Sequence, residues 1–216
     1  MRLAIGDIHG KPFWKDYLDE DFTEFYLLGD YFDSYGLSFS QEYVNFERII
    51  EAARFDSRLK LCLGNHDYHY LKEIPDNDRY SRFQSRHHAA IQEILEESMD
   101  LLSVVYLTPD NFLISHAGIS RTFSRLLGLD GVEGCNRVFT RDRSLFSFNG
   151  LDSFGNDVTQ GPFWIRPAAL EADALPGYTH IVGHTPHKCI TSNIADDMKT
   201  RCVYIDTGNS KSVYRF

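Results

Sequence analysis

The chain has 216 residues, of which 43% are hydrophobic and 25% are charged, and its formal net charge at pH 7 is −9. This size and composition are ordinary for a globular protein with one core, so we expect a single domain over residues 1–216. The negative charge argues against broad nucleic-acid binding and against binding to anionic membranes, because both need a positive surface. No apolar run approaches the ~20 residues of a membrane span, so no membrane partner is expected.

The cysteines indicate a reducing environment. Cys62, Cys135, Cys189 and Cys202 form no C-x-x-C pair, which argues against a zinc ribbon. Cys62 and Cys202 lie in apolar runs, where a reduced cysteine packs as a small hydrophobic side chain. We also expect no signal peptide, because the first strand begins at Leu3. A cytoplasmic location follows as the prediction.

Short apolar runs recur along the chain, and polar side chains follow their carboxyl ends. In chain order the predicted strands cover residues 3–5, 25–28, 59–63, 112–114, 181–182 and 202–205. The side chains that follow them are Asp7 and His9, Asp30 and Asp33, Asn65 and His66, His116, His184, and Asp206. In open α/β sheets the ligand crevice lies outside the carboxyl ends of the strands. The pattern therefore predicts one functional site built from several strand ends.

Helical periodicity is clearest over residues 41–53, with Val44, Phe46, Ile49 and Ile50 expected on one face, and again over residues 87–99. The stretch LTPDNF separates two strand-like runs and predicts a hairpin turn. From residue 128 to residue 161 the pattern decays. We expect a long, partly ordered and functional loop there.

The strand-end residues suit a metal centre. Setting His66 aside, three histidines, two aspartates and one asparagine would form two adjoining coordination shells if one aspartate were shared: Asp7, His9, Asp30, Asn65, His116 and His184. Mixed nitrogen and oxygen ligands suit Mn, Fe, Zn or Co. Two such cations can polarise a phosphoryl group and make hydroxide available near neutral pH, and a nearby histidine would protonate the leaving group.

Five short motifs occur in a fixed order along the chain. They are GDIHG at 6–10, GDYFD at 29–33, GNHD at 64–67, SHAG at 115–118 and GHTP at 183–186, with FWIR and YIDTG closer to the carboxyl end. This series resembles the calcineurin-like metallophosphoesterase superfamily over residues 7–208. Within it the chain is most similar to the bacterial and phage branch of Ser/Thr protein phosphatases and diadenosine tetraphosphatases.

The resemblance implies a four-layer α/β/β/α sandwich of two mixed sheets and a dinuclear metal-dependent phosphatase. Asp7 and His9 would hold the first metal, Asp30 would bridge, and Asn65, His116 and His184 would complete the second. His66 would be the leaving-group acid, oriented and kept cationic by Asp33, and Arg166 in FWIR would contact phosphate. Two divalent metals are implied, with Mn expected first and Fe, Zn, Co or Ni accepted by the same ligands.

One position departs from the pattern that the resemblance implies. The protein-phosphatase branch usually has an arginine after the second aspartate of GDxxD, and here Ser34 follows Asp33. The metals and Arg166 could suffice, or another arginine could supply the charge; the candidates are Arg82, Arg86, Arg141 and Arg143. The loss weakens the case for a phosphoprotein substrate.

Three functions stay open at this stage. The first is hydrolysis of a phosphate monoester, either a phosphoprotein or a small ester. The second is hydrolysis of a nucleotide or dinucleoside polyphosphate, which a stacking aromatic and basic residues between Arg137 and Arg143 would favour. The third is a non-catalytic scaffold. Intact His66 and Asp33 weigh against it, because a scaffold gains nothing from a leaving-group acid. The partner is thus a phosphate-ester substrate, and the sequence leaves the oligomeric state open.

Overall fold

Two five-stranded sheets form the centre of the molecule. The structure is a computed structural model that describes residues 1–74, 82–208 and 211–216. Elements are numbered in chain order. The first sheet has the order β10-β1-β2-β3-β4, where the strands are β1 (Arg2–Ile5), β2 (Glu24–Leu27), β3 (Leu59–Cys62), β4 (Leu102–Ser103) and β10 (Tyr214–Arg215). Strands β1 to β4 are parallel and β10 is antiparallel to β1, so the sheet is mixed.

The second sheet has the order β5-β6-β7-β9-β8. Its strands are β5 (Val105–Leu107), β6 (Phe112–Ser115), β7 (Thr179–Val182), β8 (Thr191–Ile194) and β9 (Arg201–Tyr204). Strands β6, β7 and β9 are parallel, and β5 and β8 are antiparallel edge strands. Strands β5 and β6 form the hairpin that LTPDNF predicts.

Helices cover the outer faces of the sheets. The helices are α1 (Phe39–Phe55), α2 (Asn65–Tyr68), α3 (His88–Glu97), α4 (Arg121–Leu126), α5 (Gly134–Arg141) and α6 (Pro167–Asp173), with 3₁₀ turns at Pro12–Tyr17 and Arg143–Phe146. None of the helices that the structure describes is both long enough and apolar enough to span a bilayer.

The core is organised by the alternation of side chains along each strand. On β1, Ala4 faces the second sheet, and it packs with Ile181 of β7 and Val203 of β9 in the layer between the sheets. Its neighbours Leu3 and Ile5 point to the other face, where they pack in the cluster that contains the buried side of α1. Because a strand exposes successive side chains to opposite faces, each apolar run fills two layers. The four-layer α/β/β/α arrangement with two mixed sheets is confirmed.

Two expectations from the sequence need correction, one for a helix and one for a loop. Val44 is 41% exposed, because the buried side of α1 follows Phe46, Ile49, Ile50 and Ala53 at a period that excludes position 44. The stretch from residue 128 to residue 161 is not a continuous loop, since it contains α5 and a 3₁₀ turn. Phe139 and Phe146 bury their rings in the main core, and that packing orders a segment whose local sequence is poor in periodicity.

Candidate active site

The parallel strands bring their carboxyl ends level with one another. Ile5 pairs with Leu27, and Leu27 pairs with Leu61, so the loops after β1, β2 and β3 leave the sheet side by side. The first two loops then hydrogen-bond to each other, with the His9 amide donating to the Asp30 carbonyl at 2.6 Å. In the second sheet the Gly183 amide donates to the His116 carbonyl at 2.8 Å, which aligns the ends of β6 and β7.

Two glycines let these loops approach closely. A Cβ atom at Gly64 would overlap the carboxylate of Asp30, and one at Gly183 would overlap the carboxylate of Asp7. Any larger residue at either position would displace a carboxylate from the centre. The glycines of GNHD and GHTP therefore have a steric role beside the predicted ligands.

Three predicted ligands meet in a triangle of lone pairs. The Nε2 atom of His116 lies 2.9 Å from the Oδ1 atom of Asn65 and 3.1 Å from the Nδ1 atom of His184, and the third side, between His184 and Asn65, is 2.9 Å. His116 donates its other ring nitrogen, Nδ1, to the Leu28 carbonyl at 2.7 Å. His184 directs Nε2 to the Trp164 carbonyl at 3.2 Å. In the neutral form of each ring, the nitrogen that faces inward is then unprotonated.

This triangle fits a cation. Three acceptor atoms face one another, and with the protonated nitrogens engaged by carbonyl groups, no proton is left to lie between them. An imidazole that donates one N–H to a carbonyl group while its other nitrogen faces inward is the usual arrangement of a metal-ligating histidine. The donor set of two nitrogens and one amide oxygen suits a borderline divalent metal.

The remaining predicted ligands lie beside this triangle. The Oδ2 atom of Asp30 is 3.6 Å from Nε2 of His116 and 3.7 Å from Nε2 of His9, so the carboxylate stands between the two histidines. Asp7, Asp30 and His116 each offer an atom within 4.8 Å of the others. The Oδ1 atom of Asp7 accepts the amide of His184 at 2.8 Å. The structure therefore brings all six predicted ligands to one place.

Burial and the neighbouring carboxylates leave negative charge in excess there. Burial, with a further contribution from Asp30, raises the pKa of Asp7 to about 6. Burial and Asp7 likewise raise the pKa of Asp206, which lines the same cavity, to about 7. Burial lowers the pKa of His184 well below its ordinary range, which keeps the ring neutral. Carboxylates and neutral imidazoles crowded in this way are the pattern that a cation relieves.

Four residues of this site have a strained backbone, and four other described non-glycine residues elsewhere share the same φ range. His9, Asp30, Asp33 and His184 have φ angles of 41°, 53°, 62° and 63°, which is the left-handed region. Each such residue costs on the order of 1–2 kcal/mol relative to the right-handed region. Strain of this kind persists only where the surrounding structure fixes the backbone, and it is enriched at functional sites.

His66 and Asp33 form a hydrogen-bonded pair at the edge of the ligand cluster. The Nδ1 atom of His66 lies 2.9 Å from the Oδ2 atom of Asp33. Burial alone would lower the pKa of His66, but the carboxylates of Asp30 and Asp33 outweigh it and raise the pKa to about 9. Burial opposes the charge on Asp33, and hydrogen bonds from His66 and His69 nevertheless hold its pKa at about 2. The pair therefore combines a cationic imidazole with an ionised carboxylate at neutral pH.

Comparison with known proteins agrees with this geometry. The calcineurin-like phosphoesterase family matches residues 2–203. The chain belongs to the calcineurin-like phosphoesterase family. It is therefore related to metal-dependent hydrolases of phosphate esters. No curated protein sequence matches the chain.

Solved structures share the fold at low identity. A cold-active protein-tyrosine phosphatase of the psychrophile Shewanella sp. has a TM-score of 0.62 at 17% identity, covering 95% of this chain and 70% of that one. A second structure of a cold-active protein tyrosine phosphatase, at 1.1 Å, has a TM-score of 0.61 at 20% identity, with 95% and 69% covered. A protein serine/threonine phosphatase from Saccharomyces cerevisiae has a TM-score of 0.50 at 14% identity, with 94% and 66% covered.

In this phosphoesterase Asp33 has more partners than the sequence indicates. Besides His66, it accepts hydrogen bonds from Nε2 of His69 at 2.8 Å, from the hydroxyl of Tyr70 at 2.6 Å and from Nε2 of Gln84 at 3.1 Å. The sequence indicates His69 only as a loop or helix surface residue, and this is wrong, because its side chain is fully buried. The spacing in the sequence could have indicated this role, because His69 comes one helical turn after His66, at the end of α2.

The cavity beside the cluster has a volume of about 680 Å³. Arg166 lies on its wall, where Nε donates to the Phe154 carbonyl at 3.0 Å and Nη1 donates to the His184 carbonyl at 3.2 Å. Arg166, the predicted phosphate-binding residue, is thus held beside His184, a predicted metal ligand. Phe148, Ser153 and Phe154 also line the cavity, and the sequence identified none of them individually.

None of the four arginines proposed to replace the missing one is among the residues that line this cavity. They are Arg82, Arg86, Arg141 and Arg143. Arg82 comes nearest in the hydrogen-bond network, because its Nη2 donates to the Ser34 carbonyl at 2.7 Å. Arg143 instead forms an ion pair with Glu96 at 2.5 Å. Among the residues that the structure describes, the guanidinium on the cavity wall is that of Arg166.

Proposed function

We propose that this phosphoesterase hydrolyses phosphate monoesters, either phosphoproteins or small phosphate esters, with two divalent metal ions. The observation that carries the proposal is the triangle of acceptor atoms from Asn65, His116 and His184, together with the cationic His66 beside it. This chemistry needs a metal site and a neighbouring acid. The acceptor atoms of the triangle fit the first requirement, and His66 fits the second.

The proposed ligands divide into two sets. Asp7 and His9 would hold the first metal, Asn65, His116 and His184 would hold the second, and Asp30 would be shared between the two sets. Two divalent cations supply charge that polarises phosphoryl oxygens and lowers the pKa of nearby water. The chain supplies the positions of the ligands, since carbonyl groups fix the histidine rings and glycines leave room for the carboxylates.

His66 is proposed to give its proton to the leaving oxygen of the ester. The carboxylate of Asp33 accepts the Nδ1–H of His66, which leaves the proton on Nε2 as the one to be donated. Three further donors, from His69, Tyr70 and Gln84, hold Asp33 in this position. Positioned proton transfer of this kind is worth on the order of 10²–10⁴-fold in rate.

Arg166 is proposed to bind a phosphate oxygen. Its Nε and Nη1 atoms are engaged by the protein, and Nη2 is the guanidinium nitrogen without a hydrogen bond to the described residues. A guanidinium held on two sides loses little freedom when the third binds an anion.

Three further points belong to the same proposal. Mn is the metal expected in both sites, and Fe, Zn, Co or Ni are the alternatives. A cytoplasmic location is supported by the free cysteines, three of which are buried in the apolar core. A single domain over residues 1–216 is supported by the contribution of both sheets to one site.

Hydrolysis of a chromogenic phosphate monoester and of its diester tests the proposal. Metal-stripped protein would be assayed with Mn²⁺ added back, for the wild type and for His66→Asn. We expect Mn-dependent turnover of the monoester that falls by about 10²-fold or more in the variant. Bound metal without turnover of any ester, nucleotides included, would contradict the enzyme assignment, and so would the absence of metal binding.

Hydrolysis of a nucleotide or dinucleoside polyphosphate is the second candidate. Aromatic side chains on the cavity wall favour it, namely Tyr35, Phe148, Phe154 and Trp164. The basic residues from Arg137 to Arg143 do not favour it, because they are not among the cavity-lining residues of the described chain. A nucleotide turned over faster than any monoester in the same assay would establish this alternative.

A further inference from the structure

Ser34 occupies the position where the resemblance implies an arginine, and it is anchored as a turn residue. Its hydroxyl accepts hydrogen bonds from the amides of Gly36 at 3.2 Å and Leu37 at 3.3 Å. Its own amide donates to the carboxylate of Glu42, and its carbonyl accepts from Arg82 at 2.7 Å. These bonds fix the backbone on both sides of the next residue, Tyr35.

Tyr35 stands between two cavities. It lines the cavity at the metal cluster, of about 680 Å³, and also an adjoining one of about 470 Å³. Its ring centre is 6.5 Å from that of His9, and its side chain is 77% exposed. The guanidinium of Arg82 lies over the ring at 4.5 Å from its centre. A large aromatic ring is thus held in place beside a predicted metal ligand while most of its surface stays in solvent.

Phe154 provides a second exposed ring on the same cavity. It is 73% exposed, and its carbonyl accepts a hydrogen bond from Nε of Arg166 at 3.0 Å. Its amide donates to Asp152 at 2.9 Å, which closes the turn that carries the ring. Two exposed aromatic rings on the wall of one cavity provide apolar surface that a ligand can cover.

We propose that Tyr35 and Phe154 select phosphate monoesters whose ester oxygen is attached directly to a planar aromatic ring. This inference rests on the proposed function and names its substrate class. Ser34 stands where the resemblance implies an arginine, and the turn that it forms presents Tyr35 to the cavity. Arg166 is then the residue that binds the phosphate. Stacked or edge-on aromatic pairs strengthen binding by about two- to tenfold beyond the effect of their buried area.

Position and charge favour an aryl ester over a nucleotide. Tyr35 neighbours His9 directly, and in an aryl ester only one oxygen separates the ring from the phosphorus, whereas a nucleotide interposes a pentose. Besides His66, which is assigned to the leaving group, the described cations on the cavity wall are Lys11 and Arg166, and Lys11 is already bound to the Gly208 carbonyl at 2.6 Å. Additional phosphates would face Asp206 with few cations left to receive them.

Calorimetric titration with phosphonates tests the inference without requiring turnover. Mn-loaded protein would be titrated with phenylphosphonate and with cyclohexylphosphonate, which match in charge and approximate size but differ in planarity. We expect phenylphosphonate to bind about fivefold more tightly in the wild type. Tyr35→Ala should bring the ratio close to one, Tyr35→Phe should retain it, and binding of inorganic phosphate should change in neither variant.

Phe55→Ala is the matched control, because Phe55 is 95% exposed at the end of α1 and lines neither cavity. A ratio near one in the wild type, or a ratio unchanged in Tyr35→Ala, would overturn the inference. Tighter binding of AMP than of phenylphosphonate, lost in Tyr35→Ala, would overturn the aryl ester in favour of a nucleotide. Ring selection without hydrolysis of any ester would support the ring subsite and refute the proposed function, so the two failures are distinguishable.

Discussion

Two buried polar clusters lie side by side in this molecule, and they are satisfied in opposite ways. The carboxylate of Asp67 accepts three backbone amides, from Asp30 at 2.8 Å, Tyr31 at 2.8 Å and Gly64 at 2.9 Å. In the neighbouring ligand cluster, by contrast, acceptor atoms of His116 and Asn65 face one another. Backbone amides of the chain satisfy the carboxylate in the first cluster, whereas the acceptor atoms in the second cluster fit a cation. Burial alone therefore does not distinguish a structural polar group from a functional one; the balance of donors and acceptors does.

Asp67→Ala should have the largest effect on stability. The side chain is fully buried, and its removal leaves three amides without an acceptor. At ~1–3 kcal/mol for each buried unsatisfied group, we expect a loss of about 4 kcal/mol in the free energy of unfolding, measured with urea. Asp142→Ala is the control, since the exposed Asp142 also accepts an amide, that of Ser144. Equal losses of unfolding free energy in the two variants would mean that the buried Asp67 carboxylate has no greater structural role than the exposed Asp142 carboxylate.

His180 tests what happens to a buried histidine outside the ligand cluster. Burial lowers its pKa from 6.5 to about 4. Between these pH values the unfolded chain takes up a proton that the folded chain does not, so stability falls as the pH falls from 6.5 to 4. The group's contribution across that window is about 3 kcal/mol.

His180→Gln should flatten this dependence. Glutamine can still donate to the Leu175 carbonyl, which His180 Nε2 binds at 2.9 Å, but it does not titrate. Urea unfolding at several pH values from 4 to 7 would measure the slope. An identical slope in the wild type and the variant would show that His180 is not the group responsible.

Metal removal should weaken the ligand cluster and leave the Asp67 cluster intact. At a hundredfold excess over the Kd, Mn²⁺ should stabilise the folded protein by about 2.7 kcal/mol for each site that it fills, seen as a higher thermal midpoint. His116→Gln should lose most of this response, and His180→Gln should keep it. The same metal-induced shift in both variants would mean that the cation binds elsewhere.

Arg143→Ala should have the smallest effect. Arg143 is paired with Glu96 and lies away from the cavity wall, so its loss should cost about 1 kcal/mol of stability and leave the KM for a chromogenic monoester unchanged. A double-mutant cycle with Glu96→Ala would measure the coupling. A severalfold rise in KM would return Arg143 to the role of the missing phosphate-binding arginine.

The strand ends and the type of chemistry could both be predicted from the amino-acid sequence. Short apolar runs followed by Asp, Asn or His predict a site at the carboxyl ends of parallel strands, because side-chain alternation and strand direction are local properties. The five motifs implied the family, and the match over residues 2–203 confirms it. The roles of Asp33, His66 and Arg166 stay predictions, although the structure brings each of them to one site.

Which polar groups satisfy one another depends on tertiary packing. In the first sheet β1 lies second from the edge, because the carboxyl-terminal β10 pairs with its outer side. His69 and Gln84 reach Asp33, and Tyr35 and Phe154 reach one cavity, from segments far apart in sequence. These contacts depend on how loops from the two sheets pack together. Local sequence periodicity does not encode contacts between residues that are far apart in the chain.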